Sequence, residues 1–190
     1  VVISSSHSVA KAIITKPETL HNCYCHTPMR YAWEPWELEY RLRSFPKFLH
    51  QTIRKRLPRI RLWDRVSAER VDHFIANSKF VAVRIAKYYR KKSTVIYPPV
   101  NTEFFRISQP KGYYLMVGRL IAYKRFDLGI SALKKLGRPL KIVGVGAEEK
   151  ALKKLAAGSA EFLGNVDDHA LAKLYAGCRA LILKQERSSK

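Results

Sequence analysis

The sequence predicts an α/β protein built as two parallel-sheet units, and three observations lead there. Short apolar runs alternate with helical patterns along the whole chain, the signature of successive βα units. Apolar residues make up 47% of the 190, enough for a sizeable core. The alternation breaks once, at YPPVNTEFFRISQPKG (97–112), where three prolines and a closing glycine leave no period. Proline pairs are excluded from central strands and helix interiors, so this stretch reads as the connection between two units. The expected division is 1–105 and 106–190.

Strands are expected at 1–3, 21–25, 74–76, 95–97, 113–117, 140–143, 161–163 and 180–183, each a short apolar run bounded by turn or helix signals. Ser78 is a good N-cap ahead of Phe80, Val81, Val83, Ile85 and Ala86, and Asp167 or Asp168 would cap HALAKLYAG. Between 41 and 65, nine Lys or Arg residues face a single acid, Asp64, and interleave with apolar side chains. Pro46 and Pro58 are expected to divide this stretch into short helical pieces. It reads either as a solvated face or as a surface lying on anionic lipid. The chain opens without methionine on VVISSS and closes on LILKQERSSK, so both ends read as cut and both units as incomplete.

Lys plus Arg number 36 against 15 Asp plus Glu, a net charge of +21. That excess points to a polyanionic partner: nucleic acid, an anionic membrane surface, or substrate phosphates. Three cysteines (Cys23, Cys25, Cys178) form no CxxC and are odd in number, which favours a reducing compartment and a cytoplasmic location. No apolar run approaches the roughly 18 to 20 residues that cross a bilayer.

HNCYCH (21–26) has the composition of a metal site but not its geometry. On a strand Cys23 and Cys25 share one face and Tyr24 and His26 the other, so no metal is expected there. His26 remains a candidate because it ends a strand just before Thr27 and Pro28, at the edge where open parallel sheets bind ligands. IVGVGAEEK (142–150) offers Gly144 and Gly146 after a strand, but Glu149 stands where a dinucleotide fingerprint wants a small residue. No Walker lysine, HExxH, GxSxG or EF-hand loop occurs, and acids are too scattered to pair for hydrolysis.

VGRLIAYKRFD (117–127) is the better lead. Gly118 allows a close turn, Arg119 can fork onto phosphate oxygens, and Lys124 is expected to open a helix carrying Phe126, Ile130 and Leu133 on one face. Two cations at that edge suit a diphosphate; the alternative is surface charge in a basic protein.

Taken together, SSSHSVAKAI, HNCYCHTPMRYAWEPW, RVDHFIANSKFVAVRI, VIYPPVNTEFF, VGRLIAYKRFDLGISA, LKIVGVGAEEKAL and EFLGNVDDHALAKLYAGCRALIL resemble the bacterial group 1 glycosyltransferases, and especially their mannosyltransferase-like branch. The resemblance implies two facing Rossmann-like domains of GT-B type. The acceptor side would occupy 1–105 and the start of the nucleotide-sugar side 106–190. It implies that Arg119 and Lys124 bind the donor diphosphate and stabilise it as it leaves. His26, in the family's HTP-like position, would act at the donor sugar, and Gly118, Gly144, Gly164, Asn165 and Val166 would supply donor-pocket backbone. The implied reaction moves a hexose, mannose by preference, from a nucleotide-diphosphate sugar, GDP-mannose favoured, to a lipid-linked or polysaccharide acceptor with retention. The leaving phosphate would take the acceptor proton, so neither cofactor nor metal is implied, and the site would lie at the inner face of the membrane. The family's paired glutamates, separated by seven residues, are not met by KQERSSK or its Glu186, so weak or absent turnover is expected. The reading from another class is a basic nucleic-acid-binding module, supported by the net charge and by KYYRKK (87–92). A third is an inactive remnant.

Overall fold

The computed structural model describes residues 1–43 and 45–183. The chain forms two compact units, Val1–Pro99 and Val100–Lys190.

In the first unit, β1 (Val2–Ser6), β2 (His21–Cys25), β3 (His73–Ala76) and β4 (Ser93–Val95) form a parallel sheet in that order. Alternation decides what is buried. His21, Cys23 and Cys25 of β2 and Phe74 and Ala76 of β3 turn inward. Cys23, Cys25, Phe74 and Ala76 meet Val81, Ile85 and Tyr89, one turn apart on α4 (Lys79–Tyr89). Ser78 caps that helix as expected, its side chain accepting from the Val81 amide at 3.3 Å. The fourth strand begins two residues before the expected 95, and its last ladder bond, from the Ile96 amide to the Ala76 carbonyl at 2.9 Å, comes just before Pro98 and Pro99.

The loop after β2 carries α1 (Arg30–Trp33) and α2 (Pro35–Leu42), and then comes α3 (Lys47–Ala68). Pro58 does not divide α3, contrary to expectation: the helix runs unbroken for 22 residues. Leu57 packs with Leu38 and Leu42, while Asp64, Ser67 and Ala68 are buried at the other end. Anchoring on both sides of the exposed Pro58 outweighs the one backbone hydrogen bond that proline removes.

In the second unit, β5 (Tyr113–Val117), β6 (Leu140–Val143), β7 (Ala160–Gly164) and β8 (Cys178–Leu181) form a parallel sheet in the order β7-β6-β5-β8. Helices α5 (Phe126–Lys135), α6 (Glu149–Ala156) and α7 (Asp168–Gly177) cover both faces. Met116 and Ile142 pack with Phe126, Ile130 and Leu133 of α5 and Leu152 of α6. Leu115 and Val143 pack with Leu171 and Leu174 of α7 on the other face. Burial on both sides is why these strands read as continuous apolar runs. The units part between Pro99 and Val100 rather than at 106. The ring of Phe104 lies 4.8 Å from that of His169 and the ring of Phe105 6.0 Å from that of Tyr175, so these residues belong with the second unit.

Candidate functional site

In the second sheet the chain steps outward from β5 through β6 to β7, then returns to the other side of β5 as β8. Strand order reverses beside β5, and a parallel sheet opens a crevice for ligands at the C-terminal ends flanking such a reversal. The loop leaving β5 at that position is GRLIAYK, residues 118–124.

Three glycines shape the rim. Gly118 and Gly144 directly follow β5 and β6, Gly164 is the last residue of β7, and their φ values are 146°, 130° and 66°. The Gly118 amide donates to the Val143 carbonyl at 3.0 Å, and the Gly144 amide to the Gly164 carbonyl at 2.7 Å. A Cβ on Gly144 would overlap the Gly118 carbonyl, and one on Gly146 the Leu120 carbonyl. Only glycine allows backbones this close. The approach continues outward, with Leu120 donating to Val145 and Glu148 to Leu120, both at 3.0 Å. This seam pins Leu120 in the core and leaves Arg119, one residue earlier, exposed.

Lys124 does not open a helix as expected. It ends a 3-10 turn, Ala122–Lys124, and α5 starts only at Phe126, because Arg125 sits in the left-handed region at φ 50°. Phe126, Ile130 and Leu133 do share the buried face of α5. Lys124 Nζ stands 5.9 Å from the Tyr123 ring centroid, half-buried beside the rim. The Arg125 guanidinium instead donates to both oxygens of Asp127, at 3.0 and 2.8 Å, and that hydrogen bonding holds the carboxyl below the usual range. Arg119 has no hydrogen-bond or ion-pair partner among the described residues, so its fork is available to an anion. Asn165 follows the β7 glycine and is exposed, while Val166 is half-buried against the α7 side of the core.

His26 occupies the equivalent edge of the first sheet. Its amide donates to the Ser6 carbonyl at 2.8 Å, its Nε2 lies 2.8 Å from Ser5 Oγ, and its ring meets the edge of Tyr24 at 5.5 Å. The ring is exposed on the Tyr24 face, as the alternation requires. Cys23 and Cys25 point into the core, where burial raises both thiols, Cys25 to about 12. His21 is a core residue: it is fully buried between Ser4 Oγ and the Arg70 carbonyl.

The side chains that hold the His26 loop carry no local signal in the sequence. Arg84 of α4 donates from Nε to Thr27 Oγ1 at 3.0 Å, reaches the Pro28 carbonyl at 3.4 Å, and pairs with Glu34. Trp36 Nε1 donates to Glu34 at 2.7 Å. Farther along, Asp64 accepts from Trp33 Nε1 at 2.7 Å and from Lys11 Nζ at 2.6 Å, with Lys11 also bound to Ser67. Burial lowers the affinity of Arg84 for its proton and raises that of the Tyr89 hydroxyl, which Asp64 raises further. The one advance signal was Asp64 itself, a lone acid among cations. The stretch KQERSSK with Glu186 lies outside the described residues.

A family model described as Glycosyltransferase Family 4 matches residues 3–104, and one described as Glycosyl transferases group 1 matches residues 99–188. No curated protein matches the chain. Among solved structures, the apo form of the lipopolysaccharide outer core galactosyltransferase WaaB is similar at 20% identity and TM-score 0.50, over 63% of this chain and 38% of its own. AviGT4, a glycosyltransferase involved in avilamycin A biosynthesis, is similar at 17% identity and TM-score 0.50, over 62% and 36%. A mutant of S. aureus TarM, in complex with fondaparinux, alpha-GlcNAc-glycerol and UDP, is similar at 12% identity and TM-score 0.59, over 88% and 32%. The chain thus spans about a third of the length of these proteins, and at such identities the likeness concerns fold. With one family model covering more than half of the residues and a second covering most of the rest, this chain belongs to the group 1, family 4 glycosyltransferases of GT-B fold.

Proposed function

We propose that the chain carries the donor-diphosphate site of a retaining glycosyltransferase that moves a hexose, mannose by preference, from a nucleotide-diphosphate sugar to a lipid-linked or polysaccharide acceptor. The observation that supports this most directly is Arg119 without a partner among the described residues, at a strand-order reversal and beside a rim of three glycines. Negative charge grows on the donor phosphate as the glycosidic bond breaks. A forked guanidinium and an ammonium beside the leaving phosphate stabilise that charge as it develops. The same phosphate oxygen then takes the proton of the acceptor hydroxyl on the same face of the sugar, which gives retention. His26 acts at the sugar, and Gly144, Gly164, Asn165 and Val166 offer backbone to the nucleotide. UDP in the TarM complex fits a nucleotide-diphosphate donor in this fold; GDP-mannose is the donor favoured by the mannosyltransferase-like motifs.

Binding of GDP or UDP should raise the melting temperature of the purified chain, and Arg119→Ala should abolish most of that rise. Persistence of the full rise in Arg119→Ala would remove Arg119 from the site. Strong DNA binding that collapses with salt, with no response to either nucleotide, would favour the nucleic-acid module instead.

The acceptor side of the reading places the chain in the cytoplasm, on the inner face of a membrane. Helix α3 exposes Phe48 at 78% and Leu62 at 65% among its cations, the composition of a surface-lying helix. No helix among the described residues is long and apolar enough to cross a membrane. Flotation with vesicles containing anionic lipid should retain the chain and neutral vesicles should not; equal retention would refute the electrostatic part.

A further inference from the structure

We infer that Arg84 is a positioning residue for His26, acting through the turn that follows β2. The inference rests on the proposed role of His26 at the sugar. Three facts about Arg84 combine. Its side chain is buried, with 7% exposure. Its polar contacts run to the turn and to the elbow behind it: Thr27 Oγ1 at 3.0 Å, the Pro28 carbonyl at 3.4 Å, and the Glu34 carboxylate. Its guanidinium also lies over Phe80 and Tyr88, 5.8 and 5.3 Å from their ring centroids. The fork is therefore fixed from below by two aromatic rings and spent above on the two residues directly after His26.

A buried ion pair is a poor way to add stability, because desolvation offsets most of the attraction. What a planar, multidentate fork does supply is geometry, since it satisfies several acceptors in one arrangement only. Here that arrangement sets where the chain leaves β2. His26 has its own tie at that point, from its amide to the Ser6 carbonyl and from its ring to Ser5 Oγ. Those bonds hold the near end of the turn, and Arg84 holds the far end. Tyr88 continues the support, stacked at 4.7 Å on Trp33, whose indole is bound to Asp64. A catalytic side chain on an exposed loop keeps its place only where its supporting shell is locked in this way.

The test uses the full chain with isotope-labelled histidine, with His26→Gln to assign the ring signals. Arg84→Met keeps packing on Phe80 and Tyr88 while removing the fork, Arg84→Lys keeps the charge alone, and Thr27→Val removes one acceptor. In all three the His26 ring signals should move while those of His50 on α3 stay. Lysine should not rescue. In a transfer assay kcat should fall about tenfold or more with the donor KM nearly unchanged, as expected for misplacement of a reacting group. Should Arg84→Met fail to fold, Thr27→Val decides. Unmoved His26 signals in folded variants, or full rescue by lysine, would overturn the inference. If the signals move but neither GDP nor UDP raises the melting temperature of the wild-type chain, the positioning role stands and the reading of the reaction falls.

Discussion

Asp64 is the lone acid among the cations of residues 41–65, and it is fully buried against Lys11, 53 positions away in the chain. Replacing it with alanine would strand the Lys11 ammonium in the core. We expect Asp64→Ala to destabilise the first unit by about 3–5 kcal/mol in urea unfolding, the range for breaking a buried pair. A cost near zero would mean that Lys11 finds water. At Gly144 the conformation itself forbids a side chain, so Gly144→Ala should both destabilise the second unit, by more than about 1 kcal/mol, and weaken nucleotide binding. The cysteines make a simpler test. Burial lifts Cys25 to about 12 and raises Cys23, so at pH 8 both stay thiols and are shielded. In the native chain a thiol reagent should modify Cys178 first, and rapid loss of all three thiols would contradict the described core.

At the scale of elements, most strands could be read in advance because a buried strand announces itself: 21–25, 113–117 and 140–143 coincide with β2, β5 and β6. The ends of β4 and β8 could not be, since their limits depend on partners. Helix α3 is the instructive departure. Proline is a local signal for a break, but the packing at Leu57 and at Asp64–Ala68 is long-range and stronger. Pro58 should then be a standing cost. Pro58→Ala restores a backbone donor in a helix interior and should stabilise the first unit by on the order of 1–3 kcal/mol, read as a higher urea midpoint. An unchanged midpoint would mean that the helix is already relaxed around the proline. The Arg125–Asp127 pair at the start of α5 adds a pH effect. The folded carboxyl titrates below its unfolded value, so its contribution is present above about pH 4 and lost as pH falls through the lower folded value. A smaller acid sensitivity of the second unit in Asp127→Asn, measured by acid unfolding, is the expected result.

For the whole molecule, two sheets with separate cores make two local readouts possible. Nucleotide should slow amide exchange at 118–124, 144–148 and 164–166 and leave the strands of the first sheet unaffected. Protection centred on the KYYRKK stretch instead would point to a different polyanion. The amino-acid sequence by itself determined that there are two α/β units and parallel sheets, and it singled out Gly118, Gly144, Arg119, Lys124 and His26. Periodicity, turn residues and strand-end positions are local properties, and a chain displays them before it folds. Only the tertiary structure decided that Lys124 belongs to a turn rather than a helix, that Arg125 is spent on Asp127, and that Pro58 lies inside α3. It alone brought Arg84 to Thr27 across 57 residues and Lys11 to Asp64 across 53. A charged residue reads as solvated surface until its partner is known, and the free energy that buries it comes from contacts between segments that the order of residues leaves far apart.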